Sequence, residues 1–321
     1  MLPTPVSSHK RESLVRRRHR TVDLFRRPAR LTNLGVFLLA AIAAISLLLN
    51  LKHYISSESD FGYALPGSLA STLVRPAVQN LTHLIIVPGH GIWTGAHARE
   101  LTDESAWVLA PYQRGKGRPA VLLEHIARGV ELTLEDDNSL LVFSGGQTSP
   151  LSTTTEAESY HRLAIAASLL PSPTSSIIPF TRATTEPFAL DSYQNLMFSI
   201  ARFREFTGVY PRKITIVGYQ FKRRRFEELH RVALRWSPAD LEYVGLSLGG
   251  TMEEQEAFEG EPYSADLYGC HPPLSTKRAS RNPHGRIHAY HTSAPELRGL
   301  LEWCPASRAS VFTGALPWDG A

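Results

Sequence analysis

A run of four cations, KRRR at 222–225, lies between the β-branched run ITIV at 214–217 and helix-like sequence. Positive charge at the start of a helix opposes the helix macrodipole, which favours anions at that end. The run is either a solvated face that Glu227 and Glu228 partly neutralise, or a group of cations that holds a phosphate or carboxylate. In the second case the candidate ligand-binding residues are Lys222, Arg223 and Arg225.

Two glycine-containing turns and two acidic residues would complete such a site. The stretches VPGHGIW and FSGGQT each include the end of an apolar run. Backbone N–H groups at such turns and at helix starts attract anions. The turns supply the candidate ligand-binding residues Gly89, His90, Gly91, Ser144, Gly145 and Gly146. Glu156 and Asp191 are the candidates for a carboxylate with a catalytic or hydroxyl-binding role.

Each of these features also has a structural explanation. A glycine pair by itself is most often a tight turn. Thr155 with Glu158, and Asp191 with Gln194, fit capping boxes, which would account for all four residues. His90 has no second ligand at metal spacing, so we predict no metal site.

The elements that must position these residues alternate between strand and helix. Near-continuous apolar runs, typical of strands covered on both faces, occur at 83–89, 139–146, 175–180, 213–219 and 240–248. Helical stretches separate them at 120–132, 155–170, 191–206 and 223–236. This alternation predicts an α/β fold with a Rossmann-like parallel sheet and helices on both faces. Ligands bind such sheets outside the carboxyl ends of the strands, where the winding direction reverses.

Composition divides the chain into five segments. Residues 1–30 hold nine Lys/Arg and two acidic residues, so this tail carries +7 and the rest of the chain −3. A slightly acidic body argues against nucleic-acid binding, despite a pI of about 9.1. We predict a basic disordered tail at 1–30, a transmembrane signal anchor at 31–51, a tether at 52–81 and a Rossmann-like domain at 82–248. Residues 249–321 are predicted to form a loop-rich extension that packs on or near the domain and contains one short helix at 294–303.

The uncharged segment at 31–51 is about long enough to cross a bilayer as a helix. The cations before it predict a cytoplasmic N-terminus and a domain in the lumen of the secretory pathway. An Arg-rich N-terminus before an apolar span also suits a mitochondrial inner-membrane protein. The sequon at Asn80 is usable only on the secretory route, and Cys270 and Cys304 could form one disulfide bond in an oxidising lumen.

The blocks VPGHGIW, FSGGQT followed by TEAESY, ALDSYQNL and VGYQFKRRRF resemble the domain-of-unknown-function family that contains the bacterial envelope proteins YdcF, SanA and ElyC, and especially its fungal membrane-anchored branch. The resemblance covers roughly residues 83–247. It matches Ser144, Gly145 and Gly146 to a Ser-Gly-Gly turn, Glu156 to an acidic helix start, Asn195 to the Asn of a Thr-x-Glu-Asn block, and Arg225 to an Arg. The match makes Asn195 a further candidate ligand-binding residue. Ser192 stands at the Thr position, Gln194 replaces the Glu, and Lys222 stands where bacterial members usually have His.

The resemblance implies a Rossmann-like fold and, from YdcF, binding of S-adenosylmethionine. From SanA and ElyC it implies a connection with envelope polysaccharide precursors, and it implies no particular reaction. Gln194 cannot titrate and a Lys is ordinarily protonated, so acid–base work at these two positions is in doubt. Anion binding survives both changes.

Two functional hypotheses follow. The first is a single-pass membrane protein whose domain binds a small anionic ligand, such as a nucleotide, S-adenosylmethionine or a phosphorylated sugar carrier. It would act as a transferase or hydrolase in envelope, cell-wall or glycan metabolism. The second is a non-enzymatic membrane-anchored scaffold that uses the same rim for a protein partner. A metal hydrolase is disfavoured because the histidines are scattered.

Overall fold

The computed structural model describes residues 31–57, 80–171, 180–246, 262–308 and 310–320. The chain divides into two compact units, Met1–Ala64 and Leu65–Ala321. In the first unit the described residues form helix α1 (Leu31–Ser57). The predicted basic tail and most of the predicted tether lie outside the described residues.

Helix α1 contains the stretch Leu34–Lys52, which among the described residues is the one helical stretch long and apolar enough to cross a membrane. Its mean hydropathy is 2.5, and its large apolar side chains are exposed. At 1.5 Å per residue this stretch spans about 28 Å, close to the hydrocarbon core of a bilayer. Its length and composition are consistent with a membrane anchor or a signal sequence.

The second unit is built on a five-stranded parallel sheet. Its strands are β1 (His83–Pro88), β4 (Ser139–Ser144), β5 (Ala183–Glu186), β6 (Lys213–Tyr219) and β7 (Leu241–Leu246), in the spatial order β5-β4-β1-β6-β7. Every neighbouring pair is parallel, so the five carboxyl ends lie at one edge. Outside this sheet, the short strands β2 (Ile92–Trp93) and β3 (Trp107–Val108) pair antiparallel. The predicted fold class is confirmed.

Two apolar cores form because successive strand side chains point to opposite faces. The helices are α2 (Arg118–Glu135), α3 (Glu156–Ala166) and α4 (Ser192–Thr207). Val87 and Phe143 belong to the core that includes α2 and α3. Their sequence neighbours Ile86 and Val142 belong to the core that includes α4 and the C-terminal segment. The near-continuous apolar runs of the central strands follow from this two-sided burial.

The third strand differs from its prediction. The sequence predicts it at 175–180, but β5 occupies Ala183–Glu186; residues 172–179 lie outside the described part, and Phe180 is not in a strand. The sequence of β5 is ATTE, and its residues alternate between partly and fully buried. An edge strand of this kind lacks the continuous apolar run by which the central strands are recognised.

The helix predicted at 223–236 is irregular. A 3₁₀ turn (Gln220–Lys222) leads toward a π-helix (Arg225–His230), and α5 (Arg231–Ala233) follows. Short π-helical segments are rare and frequently occur at functional sites. The cation run at 222–225 therefore lies in a segment where the helical geometry changes.

The C-terminal segment packs on the sheet unit. Its helices are α6 (Leu274–Ser280), α7 (Tyr290–Ser293) and α8 (Arg298–Leu301). The helix predicted at 294–303 corresponds to α8 and the 3₁₀ turn before it. Tyr268, Tyr290 and Phe312 join the core that contains Ile86, so this segment completes one face of the fold. A disulfide bond joins Cys270 to Cys304.

Candidate functional site

The winding direction of the sheet reverses between β1 and β6. From β1 the chain continues through β4 to β5 on one side, and then returns to β6 and β7 on the other. Parallel α/β sheets bind ligands outside the carboxyl ends of the strands at this point. A cavity of about 540 Å³ lies there, lined by Gly89 and His90 after β1 and by Tyr219 at the end of β6. We call it the switch-point cavity.

Basic side chains dominate the charge of the switch-point cavity. Among the residues that the structure describes, six line it, against two carboxylates, those of Glu156 and Asp191. The basic residues are Lys116, Arg118, Lys222, Arg225, Lys277 and Arg281. They come from three parts of the chain: the turn before α2 together with the first residue of α2, the helical segment after β6, and α6 with the residue that follows it. A lining with this charge attracts small anions.

The cation run divides between the cavity and the helix surface. Lys222 and Arg225, three residues apart, both line the cavity. Residues at this spacing share one side of a helix, whereas the residues between them point elsewhere. Four consecutive cations therefore cannot all face one ligand. Anion binding stays a prediction for Lys222 and Arg225, the two members that line the cavity.

The two middle cations make ion pairs along the helix. Arg223 pairs with Glu227 and Arg224 with Glu228, each with an N–O distance of 2.8 Å. Arg223 also donates to Oε1 of Gln220 at 3.3 Å. Arg223 does not line the cavity, and its partner Glu227 lies on the same helix, which argues against the role in ligand binding predicted for it.

Lys222 lies close to other cations of the cavity and to His90. Its Nζ is 3.3 Å from Nε2 and 3.4 Å from Nδ1 of His90. Burial and the neighbouring charges of Arg225 and Arg281 hold the pKa of Lys222 well below its usual value. An anion bound among these cations would offset their repulsion and favour the protonated lysine.

The histidines beside Lys222, His90 and His125, have uncharged side chains. The ring of His90 stacks on that of Tyr219 with centroids 5.2 Å apart, and lies 6.3 Å from that of His125. Burial and the charge of Lys222 hold the pKa of His90 well below its usual value. Burial likewise lowers the pKa of His125 to about 3. Positive charge in the cavity therefore comes from Lys and Arg, and His90 contributes a polar wall.

Glu156, at the first position of α3, brings a carboxylate to the cavity. Its Oε1 accepts a hydrogen bond of 2.7 Å from the Thr148 hydroxyl. Burial raises the pKa of Glu156, and the charges of Arg281 and Lys222 act in the opposite direction. A carboxyl group with a raised pKa beside a ligand cavity is suited to proton transfer. The catalytic role of Glu156 stays a prediction.

The glycine turns make room for Glu156. A Cβ on Gly89 would lie 2.5 Å from the Cβ of Glu156, and one on Gly145 would lie 2.6 Å from its Oε2. Real Cβ atoms essentially never approach so closely. These two positions therefore require glycine because a side chain from α3 fills the space beside them.

The N–H groups of these turns bind protein oxygens. Those of Gly89, Gly145 and Gly146 donate to backbone carbonyls at 2.6 to 2.9 Å, and that of His90 donates to the Tyr160 hydroxyl at 3.1 Å. The expectation that bare turn N–H groups attract an anion is therefore not met at these four residues. Of the predicted ligand-binding residues, Gly91, Ser144, Gly145 and Gly146 do not line the cavity.

Ser144 and Asn195 belong to a buried group that we call the Glu186 cluster, formed with Glu186 and Tyr290. The Ser144 Oγ lies 2.8 Å from Oε2 of Glu186 and 2.9 Å from Oδ1 of Asn195. The Tyr290 hydroxyl donates to Oε1 of Glu186 at 3.0 Å, and two backbone N–H groups of the next turn donate to the same carboxylate. Burial raises the pKa of Glu186 to about 7. Asn195 also borders the cavity, but its side-chain oxygen contacts this cluster.

Asp191 has a structural role. Its Oδ1 caps α4 by accepting the Gln194 N–H at 2.9 Å, and its Oδ2 accepts a 2.7 Å hydrogen bond from Nε of Arg278 in α6. Both oxygens are engaged, which argues against the predicted catalytic role. Thr155 accepts the Glu158 N–H at 2.9 Å in the same way, so both predicted helix caps are present.

Four cavity cations fall outside the predicted set. Lys116 and Arg118 belong to the glycine-containing stretch RGKGR at 114–118, a signal that resembles the other glycine turns. Lys277 and Arg281 are four residues apart in the C-terminal extension. No local pattern connects that extension with the strand ends, so packing alone reveals these two.

Ser192 contacts a buried histidine at the cavity wall. Its Oγ is 2.9 Å from Nε2 of His230. Among the described residues, Nδ1 of His230 has no hydrogen-bond partner. Burial and the charge of Arg225 hold the pKa of His230 well below its usual value. A serine nucleophile needs a base that can take up a proton and a third group that orients it, so we assign this pair no nucleophilic role.

The chain is similar in sequence to one curated protein. An uncharacterized protein of Saccharomyces cerevisiae, YOR238W, is 28% identical to this chain over an alignment of 261 residues. The match covers 64% of this chain and 86% of the yeast protein. No protein-family model matches the chain. No solved structure matches it. The resemblance to the YdcF, SanA and ElyC family therefore stays a prediction from the quoted blocks.

Proposed function

We propose that this protein is anchored in a membrane by α1 and binds a small anionic ligand in the switch-point cavity. Around the cavity, basic side chains outnumber acidic ones six to two among the described residues, and this excess carries the proposal. Charges enclosed by protein interact more strongly than charges in water, so this excess favours a ligand that supplies negative charge. A nucleotide or a phosphorylated sugar carrier meets that requirement.

Lys222 and Arg225 are the proposed direct contacts of the anion, because they line the cavity from one side of the same helical segment. Glu156 is the proposed proton-transfer group of a transferase or hydrolase reaction on that ligand. Its support is its position in the cavity together with a pKa raised by burial. Both roles depend on side chains that face one enclosed space.

The test is anion binding by the full chain in detergent micelles, read from the melting temperature in the presence of nucleotides and sugar phosphates. Lys222→Gln and Arg225→Gln are each expected to weaken binding at least tenfold, because a hydrogen bond to a charged group contributes about 1.5–3 kcal/mol. Arg224→Gln is the matched control, since this arginine belongs to the same run but pairs with Glu228. If all three variants bind the anion with the affinity of the wild type, Lys222 and Arg225 do not contact it.

We also propose that the domain faces the lumen of the secretory pathway. Three observations support this: nine Lys/Arg precede α1, Asn80 in its sequon is exposed, and Cys270 is bonded to Cys304, as is common in oxidising compartments. Expressed in a eukaryotic host, the chain should shift on a gel after glycosidase treatment, and Asn80→Gln should abolish that shift. No shift, with the domain protected in mitochondria, would favour the inner-membrane alternative.

A further inference from the structure

The six cavity cations form two sets. The first, which we call the lysine set, contains Lys222 and Arg225 from the segment after β6, and Lys277 and Arg281 from the C-terminal segment. The second, which we call the α2 set, contains Lys116 and Arg118. The charges of Arg225, Arg281 and Lys277 all act on Lys222, so the lysine set occupies one neighbourhood.

One member of each set lies close to the ring of Tyr219. The Nζ of Lys222 lies 5.6 Å from the centroid of the Tyr219 ring, and Cζ of Arg118 lies 5.5 Å from the same centroid. The two charged groups are therefore at most 11.1 Å apart, the sum of these distances. A compact ligand with two adjacent anionic groups can contact both sets within that span.

The side-chain chemistry of the lining favours phosphate groups. Arginine pairs with phosphate through two parallel hydrogen bonds, and three of the six described cations of the lining are arginines. Arg118 belongs to the α2 set, and Arg225 and Arg281 belong to the lysine set. Each set can therefore bind one phosphate group.

Building on the anion-binding function proposed above, we propose that the ligand carries a diphosphate group, with one phosphate against the lysine set and the other against the α2 set. The diphosphate would lie across the switch point, which is the position where open parallel sheets bind pyrophosphate groups. The organic part of the ligand would extend from the cavity.

The experiment compares inorganic phosphate with inorganic pyrophosphate on the full chain in detergent micelles, by titration calorimetry at matched ionic strength. We expect pyrophosphate to bind at least tenfold more tightly than phosphate. Lys116→Gln, at an exposed position, and Arg118→Gln, at a buried one, should each weaken pyrophosphate binding at least fivefold and change phosphate binding less than twofold. Arg281→Gln should weaken binding of both anions.

Each other outcome is informative. Equal binding of phosphate and pyrophosphate would overturn the diphosphate proposal and leave the anion site in place. Binding of neither anion would overturn both proposals. Should Arg118→Gln fail to fold, Lys116→Gln decides, because its side chain is exposed and its substitution leaves the core intact. Unchanged pyrophosphate binding in Lys116→Gln and in any folded Arg118→Gln would exclude the α2 set from the site.

Discussion

Glu156 and Glu186 lie at the carboxyl edge of the same sheet, one at the start of α3 and one at the end of β5, and burial raises the pKa of both. Their partners differ. Glu186 is fully buried, and two hydroxyls and two backbone N–H groups surround its carboxylate. Glu156 accepts one hydrogen bond, from Thr148, and faces a cavity lined by cations. Hydrogen-bond donors thus make Glu186 a structural centre, whereas Glu156 is the carboxylate for which we propose proton transfer.

The sharpest test of this comparison is substitution of each carboxylate. Glu186→Ala should lower the free energy of unfolding by about 3–5 kcal/mol, because it leaves several buried donors without an acceptor. Glu156→Gln should lower it by less than about 1 kcal/mol, since the amide oxygen can still accept from Thr148. Equilibrium unfolding in urea, with the chain in detergent micelles, measures both. Equal losses would break the division between a structural and a functional carboxylate.

The second test uses pH. The folded-state pKa of Glu186, about 7, lies above its ordinary value of 4.5, so the stabilising contribution of the neutral form is complete below pH 4.5 and is lost as pH rises through 7. The loss should be on the order of 3 kcal/mol. The difference in unfolding free energy between wild type and Glu186→Gln isolates it between pH 4.5 and 8. A difference that stays constant with pH would show that the donors hold the carboxylate at its ordinary pKa.

The third test concerns the space that Glu156 occupies. Gly89→Ala should destabilise the fold by about 1–3 kcal/mol, because the new Cβ meets the Cβ of Glu156 and the backbone must shift. Gly320→Ala is the control, since a Cβ there meets nothing within 4 Å. Thermal unfolding of both variants gives the comparison. A neutral Gly89→Ala would mean that α3 can move away from the turn at little cost.

The sequence was informative where a local pattern carries the structure. Four of the five strands begin and end within two residues of their predicted bounds, and the caps at Thr155 and Asp191 are present. It also placed Lys222 and Glu156 at the carboxyl edge, because both follow an apolar run that ends in a turn. It missed β5, whose polar edge sequence has no strand pattern, and it missed Glu186 within it.

The sequence by itself determined the α/β fold, the apolar helix and the edge of the sheet where we propose a site. These features depend on the pattern of apolar and polar residues that are close together in the sequence. Which side chains meet at that edge was decided by tertiary packing. Lys222 and His90 are 132 positions apart, and Asp191 and Arg278 are 87 apart. Contacts of that range depend on how whole elements pack, so only the folded chain shows that Lys277 and Arg281 line the cavity while Ser144 turns to Glu186.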